Sequence, residues 1–179
     1  MYFEAKLSGA VKMITAVFLT LLLFLLAVGL YYSVREFFIG DVKNAVVGFI
    51  YGVLFIVGIG FLAVRDWVSG YSLTPEKLEI HRPWQGNESI PLKNLEKVEC
   101  IKDPFRKTLM IGANGGLGGF YGDFKQIGGL YFTAYVTDPK RCVMLTMKGD
   151  ERIVISPRER ERFLAALAEL RPDVKLKTA

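Results

Sequence analysis

The sequence predicts an α+β membrane protein: a two-helix transmembrane hairpin, then a small antiparallel β barrel or sandwich closed by a C-terminal α-helix. Three observations carry this prediction. Two long uncharged apolar runs stand near the N-terminus, short aromatic and β-branched runs separated by turn signals follow, and the apolar period changes near the end from alternation to helical spacing. Of the 179 residues, 51% are hydrophobic. That is above what a soluble domain usually carries, so part of the apolar surface is expected to face lipid.

In chain order, residues 1–12 read as an N-terminal tail and residues 13–66 as the hairpin, with spans at about 13–34 and 44–64. Each run holds more than 20 residues without a charge, enough for a helix across a hydrocarbon core of about 30 Å. The first run is too long for the apolar stretch of a signal peptide, and a second span follows it almost at once. Tyr31, Tyr32 and Trp67 suit the aromatic belt at the span ends. Lys6 and Lys12 precede the spans, and Arg65, Lys77 and Arg82 follow them. The connection "REFFIGDVK" holds only Arg35 and Lys43, so both termini are expected on the cytoplasmic side of a multi-pass protein of the cell membrane. Gly48 and Gly52 form a GxxxG spacing that permits close helix packing, either with the first span or with another copy.

"RDWVSG", Arg65 to Gly70, reads as a linker, and residues 67–175 form the second unit before a tail at 176–179. "YSLT" and "LEIHR" flank a turn at "PEK", and "KVECIK" follows a turn at "GNE". "LYFTAYVT" ends at "DPK", and "CVMLTM" and "RIVIS" flank a hairpin about Gly149 and Asp150. In "SPRERERFLAALAEL", Ser156 is expected to cap a helix that starts at Pro157, with Glu159 completing a capping box. Phe163, Leu164, Leu167 and Leu170 form its apolar stripe, suited to cover an open end of the strands.

Met110 to Gly129 holds eight of the chain's 18 glycines. A phosphate loop would need GK[ST] before a helix, and a dinucleotide loop would need a third glycine where Tyr121 stands, so both patterns fail. The run instead suits tight turns or bulges in a strongly curved sheet, with Phe120, Tyr121 and Phe124 packing between them.

"YSLTPEKLEIHR", "GGLGGFYGDFKQIGGLYFTAYVTD" and "VMLTMKGDERIVISPRERERFLAAL" together resemble the membrane-tethered bacterial pleckstrin-homology-like (PH-like) domains, over about the last 110 residues. The resemblance implies two roughly orthogonal antiparallel sheets with a terminal helix plugging one end. It departs from the family at "PRERERF", where an acidic helix start is expected.

No catalytic constellation, cofactor motif or metal spacing appears, so no enzyme is expected. His81 reads as a surface residue, and Cys100 and Cys142 as buried free thiols. From Arg65 onward, 19 basic residues against 15 acidic leave a surplus of +4, too thinly spread for nucleic acid. The expected function is a membrane-anchored module for protein contact or self-assembly at the cytoplasmic face. The alternative is a sensor of anionic lipid headgroups using Arg106, Lys107, Lys125, Lys140 and Arg141.

Overall fold

The structure, a computed structural model, describes residues 1–177, with side-chain surroundings for all of these except 62–64. In chain order the elements are β1 (Tyr2–Glu4), α1 (Gly9–Phe38), α2 (Val42–Arg65), β2 (Gly70–Leu73), β3 (Lys77–His81), β4 (Glu88–Pro91) and β5 (Leu95–Ile101). There follow β6 (Thr108–Gly115), β7 (Phe120–Gln126), β8 (Tyr131–Val136), β9 (Cys142–Met147), β10 (Arg152–Ile155), α3 (Arg160–Leu170) and β11 (Lys175–Lys177). Short 3-10 turns span Leu92–Asn94 and Pro139–Arg141.

Both long helices are apolar enough to cross a membrane. Ser8 caps α1 by accepting from the Val11 amide at 3.2 Å, and the Thr15 and Thr20 hydroxyls donate to the carbonyls of Val11 and Ala16, one turn back. The helix runs beyond the apolar stretch through Arg35 and ends where Gly40 takes a positive φ of 89°. Asp41 then accepts from the Asn44 amide and opens α2. Most of the apolar surface of the pair faces outward: Leu23, Phe24, Tyr51 and Leu54 are all exposed.

The strands form two sheets. The first has the order β1-β2-β3-β4, and the second β11-β5-β9-β10-β8-β7-β6. The two face each other like a sandwich over a core that includes Tyr71, Leu78 and Ile80 from the first sheet and Val143, Leu145 and Ile155 from the second. Phe163, Leu164 and Leu167 of α3 enter the same core, as the apolar stripe predicts. The second sheet is also covered on its other face. Phe124, Phe132, Val136, Cys142 and Met144 are buried there beneath Phe105, which stacks on Phe120 at 4.1 Å. Burial on both faces explains why β9 is almost continuously apolar.

Several expectations are corrected. The described sheets do not close into a barrel, and they are not wholly antiparallel: β10 runs parallel to β8 and β11 parallel to β5. The reason is that β6 and β7 extend the second sheet outward to a free edge rather than bridging to the first. Residues 2–4 of the expected tail are a strand, with Phe3 opposite Tyr71 and buried edge-on against Phe163 at 5.2 Å. Of the expected tail 176–179, residues 176 and 177 belong to β11, while 178 and 179 lie outside the described residues. The supposed linker is packed, because Val68 is fully buried.

Ser156 does not cap α3, which starts four residues later at Arg160 with Glu159 at the cap position and no side-chain cap bond. The Ser156 hydroxyl is drawn inward to backbone amides on the neighbouring strand end, a stronger claim on it than a solvent-side helix turn. Of the two cysteines, Cys142 is buried and Cys100 only half-buried.

The glycine-rich run forms the β6–β7 hairpin and the turn into β8. The amide of Gly116 donates to the Gly119 carbonyl at 2.8 Å across the tip, and Gly128 and Gly129 make the second turn. At Gly122, with φ 99°, a Cβ would stand 2.9 Å from the Gly112 carbonyl oxygen, so both conformation and space demand glycine there.

Candidate functional site

A network of hydrogen bonds joins the sheets to the two long helices. On the α1 side, the Ser8 amide donates to the Thr137 carbonyl at 3.0 Å, and the Ala5 amide to the Ser69 carbonyl at 3.1 Å. The chain entering α1 and the chain leaving α2 are thus fastened to the same body. Beneath them the buried Ser156 hydroxyl accepts from the amides of Thr137 (2.8 Å) and Asp138 (3.1 Å). The Ser156 amide donates to the Tyr71 hydroxyl, which donates to the Tyr135 carbonyl at 2.7 Å. Burial pushes the Tyr71 phenol well above its ordinary pKa and keeps it a neutral donor.

The hairpin tip supplies a second fastening. The Gly118 amide donates to the Thr15 hydroxyl at 3.0 Å, and the Tyr121 hydroxyl donates to the Gly118 carbonyl at 2.6 Å while accepting from the Val68 amide. The Tyr121 phenol is likewise raised, chiefly by burial. On the α2 side, Arg65 pairs with Asp66 at 3.2 Å, and Gln85 donates to Asp66 at 2.5 Å. Arg82 then donates to Gln85 and Glu88, both at 2.9 Å. Several bonds thus tie each helix end to the domain.

The basic residues singled out in the sequence fall on adjoining turns. Arg106 and Lys107 lie in the turn between β5 and β6, and Lys125 lies beside them on β7, opposite Leu109 and 4.7 Å from the Tyr131 ring centre. The Asp103 amide donates to the Pro139 carbonyl, which sets that turn against the 3-10 turn of Lys140 and Arg141. Arg141 is already engaged, donating to the Arg158 carbonyl at 2.9 Å and pairing with Asp138 at 3.6 Å. A cleft of about 430 Å³ at the start of α1 brings Arg141 together with Lys6 and Arg158. Neither of those two is among the sequence's candidate lipid contacts: Arg158 reaches Arg141 through the β9–β10 pairing, and Lys6 joins them through the chain between β1 and α1. Gly48 faces α1, where a Cβ would lie 3.4 Å from the Ser33 hydroxyl, whereas a Cβ on Gly52 would meet nothing within 4 Å. Half of the GxxxG spacing therefore serves packing within the chain.

His81 is partly buried with Nε2 2.6 Å from the Ser72 hydroxyl, and its ring packs beside Tyr2. Cys142 Sγ donates to the carbonyls of Asp138 and Pro139, and burial raises the thiol's pKa, which makes it a poor nucleophile.

No curated protein and no solved structure matches the chain. The profile of the family described as Bacterial PH domain matches residues 69–170, more than half of the chain. That segment runs from the strand after α2 to the end of α3, and it contains all of the second core and most of the first, to which Phe3, Ala5, Val68 and Val174 are added from outside it. With two sheets over a shared core, a terminal helix packed into it and a family match from β2 to the end of α3, the chain belongs to the bacterial PH domain family.

Proposed function

We propose that this chain is a membrane-anchored, non-catalytic interaction module. In this reading α1 and α2 cross the cell membrane as a hairpin, both termini are cytoplasmic, and the PH domain holds a protein partner or further copies of itself against the inner face. The supporting observation is that β1, which precedes α1, pairs with β2, which follows α2. One folded body thus grips both ends of an outwardly apolar helical hairpin, the arrangement expected when both ends lie on one side of a bilayer. Lys6, Lys12 and Arg65 at the gripped ends agree with a cytoplasmic location. Confinement to the membrane raises the effective concentration of partners, so modest contact surfaces suffice.

Cysteine accessibility in intact cells tests the topology. Gly40→Cys, in the turn between the helices, should react with an impermeant thiol reagent, whereas Lys148→Cys, in the β9–β10 turn, should react only after lysis. Reaction of both in intact cells overturns the hairpin. Co-purification after mild solubilisation tests the module, with multimers or a stoichiometric partner as the expected result. A second reading, recognition of anionic headgroups, is favoured by the cleft that gathers Lys6, Arg141 and Arg158 beside the start of α1. Under that reading, Arg158→Ala would change the protein's preference for anionic over neutral lipid in nanodiscs.

A further inference from the structure

Among the described residues the edge strand β6 is paired only with β7, and Leu109, Met110 and Ile111 on it are 59%, 60% and 46% exposed. Successive strand residues point to opposite faces, so this apolar edge stands clear on both sides. From Thr108 to Gly122 the chain carries no charge at all. A folded domain does not ordinarily leave so apolar an edge in water.

Its position relative to the helices points to what covers it. The hairpin tip is bonded to Thr15, and Gly112 and Gly122 line a cleft with Arg65 and Asp66. Thr15 lies 23 residues before the end of α1 and Arg65 lies 23 residues after the start of α2. At 1.5 Å per residue both are about 35 Å from the turn between the helices, so the two fastening points stand at one level. That level is where the apolar runs meet Lys12 and Arg65. Trp67 is exposed there, as is Trp84, whose neighbour Gln85 bonds Asp66. Lys125 and Tyr131, at the open end of the hairpin, form a cation–aromatic pair of the kind that suits a headgroup layer.

We propose that β6 lies in the boundary between headgroups and acyl chains of the same membrane that α1 and α2 span, with Trp84 beside it, so that the PH domain is held flat on the bilayer. This rests on the reading that the two helices are membrane spans. Lipid is favoured over a second copy because the ladder is interrupted between Ile111 and Asn114 and Gly112 has a positive φ of 70°, which breaks the edge as a template for strand pairing.

The test uses the full chain in vesicles of zwitterionic and anionic phospholipid, with brominated acyl chains as quenchers. In a Cys100→Ser background, an environment-sensitive fluorophore is placed by Met110→Cys, Ile111→Cys, Phe24→Cys or Lys148→Cys. The expected result is fluorescence loss at positions 110 and 111, strongest with bromines near the headgroups. Position 24 should be quenched by deep bromines and position 148 not at all. Quenching at 24 with positions 110 and 111 behaving like 148 overturns the proposal and leaves the anchor standing, whereas no quenching at 24 removes the anchor itself. Disulfide-linked dimers of the unlabelled Ile111→Cys chain at high lipid-to-protein ratio, without lipid quenching, would assign the edge to a second copy instead. A probe-free measurement guards against disturbance by the label. In Trp67→Phe, the remaining Trp84 should lose fluorescence to shallow bromines, and an unquenched Trp84 overturns the flat seating.

Discussion

At Ser156 a single hydroxyl accepts from two backbone amides in a buried position, which makes it the most consequential small side chain of the junction. Ser156→Ala would leave the amides of Thr137 and Asp138 without a partner, and a destabilisation of about 2–3 kcal/mol is expected, read as a lowered denaturant midpoint. Helix content should stay unchanged, because α3 begins at Arg160 and does not depend on this residue. The buried phenols of Tyr71 and Tyr121 add a pH limit. Both pKa values are raised in the folded state, so folding binds their protons more tightly than the unfolded chain does. Their contribution to stability is complete below the unfolded value of about 10 and is lost as pH rises above it. An alkaline titration followed by phenolate absorbance should show Tyr71 and Tyr121 ionising together with unfolding, and ionisation of either while the fold persists would contradict their burial.

Among the elements, β1 is short but reaches the main core. Its three residues carry Phe3 into the main core against Phe163, and Arg158 pairs with Glu4 at its end. Phe3→Ala should cost about 3–5 kcal/mol through lost burial and the cavity left behind. Tyr2→Ala, at an exposed position, should cost much less; equal effects would mean that the strand does not hold the domain through Phe3. A three-residue strand before a long apolar run carries no readable period, and its partner lies about 70 residues away. That is why the sequence there reads as a tail. The β2–β3 and β9–β10 hairpins and the apolar stripe of α3 were legible because their signals are local.

For the whole molecule, the two helices precede the family-matched segment 69–170, and β1 folds back onto that segment from their other end. A domain cut at residue 67 loses β1 and should be unstable. Joining residues 1–7 to residue 67 by a short glycine-serine linker, with both helices removed, should restore a cooperative unfolding transition, because the Ala5 amide already touches the Ser69 carbonyl. If the cut domain is as stable as the joined one, β1 is dispensable and the domain merely follows the helices. The candidate site was only partly legible for the same reason. Arg106 and Lys107 are neighbours in sequence, the hairpin adds Lys125, and the β9–β10 pairing sets Arg158 beside Arg141, but Lys6 reaches Arg141 only once β1 is in place.

By itself the sequence determined the two apolar helices, the succession of short strands, the terminal amphipathic helix and the resemblance to bacterial PH domains. Each of these is encoded by periodicity, turn residues or motif order within a short window. Only the tertiary structure decided that the second sheet ends in a free apolar edge, that two of its pairings are parallel, and that Ser156 turns inward. It also decided that the first strand returns to the domain beyond the helices. These features depend on contacts between distant segments, where the gain from burying Phe3 and satisfying the Thr137 and Asp138 amides outweighs local preference.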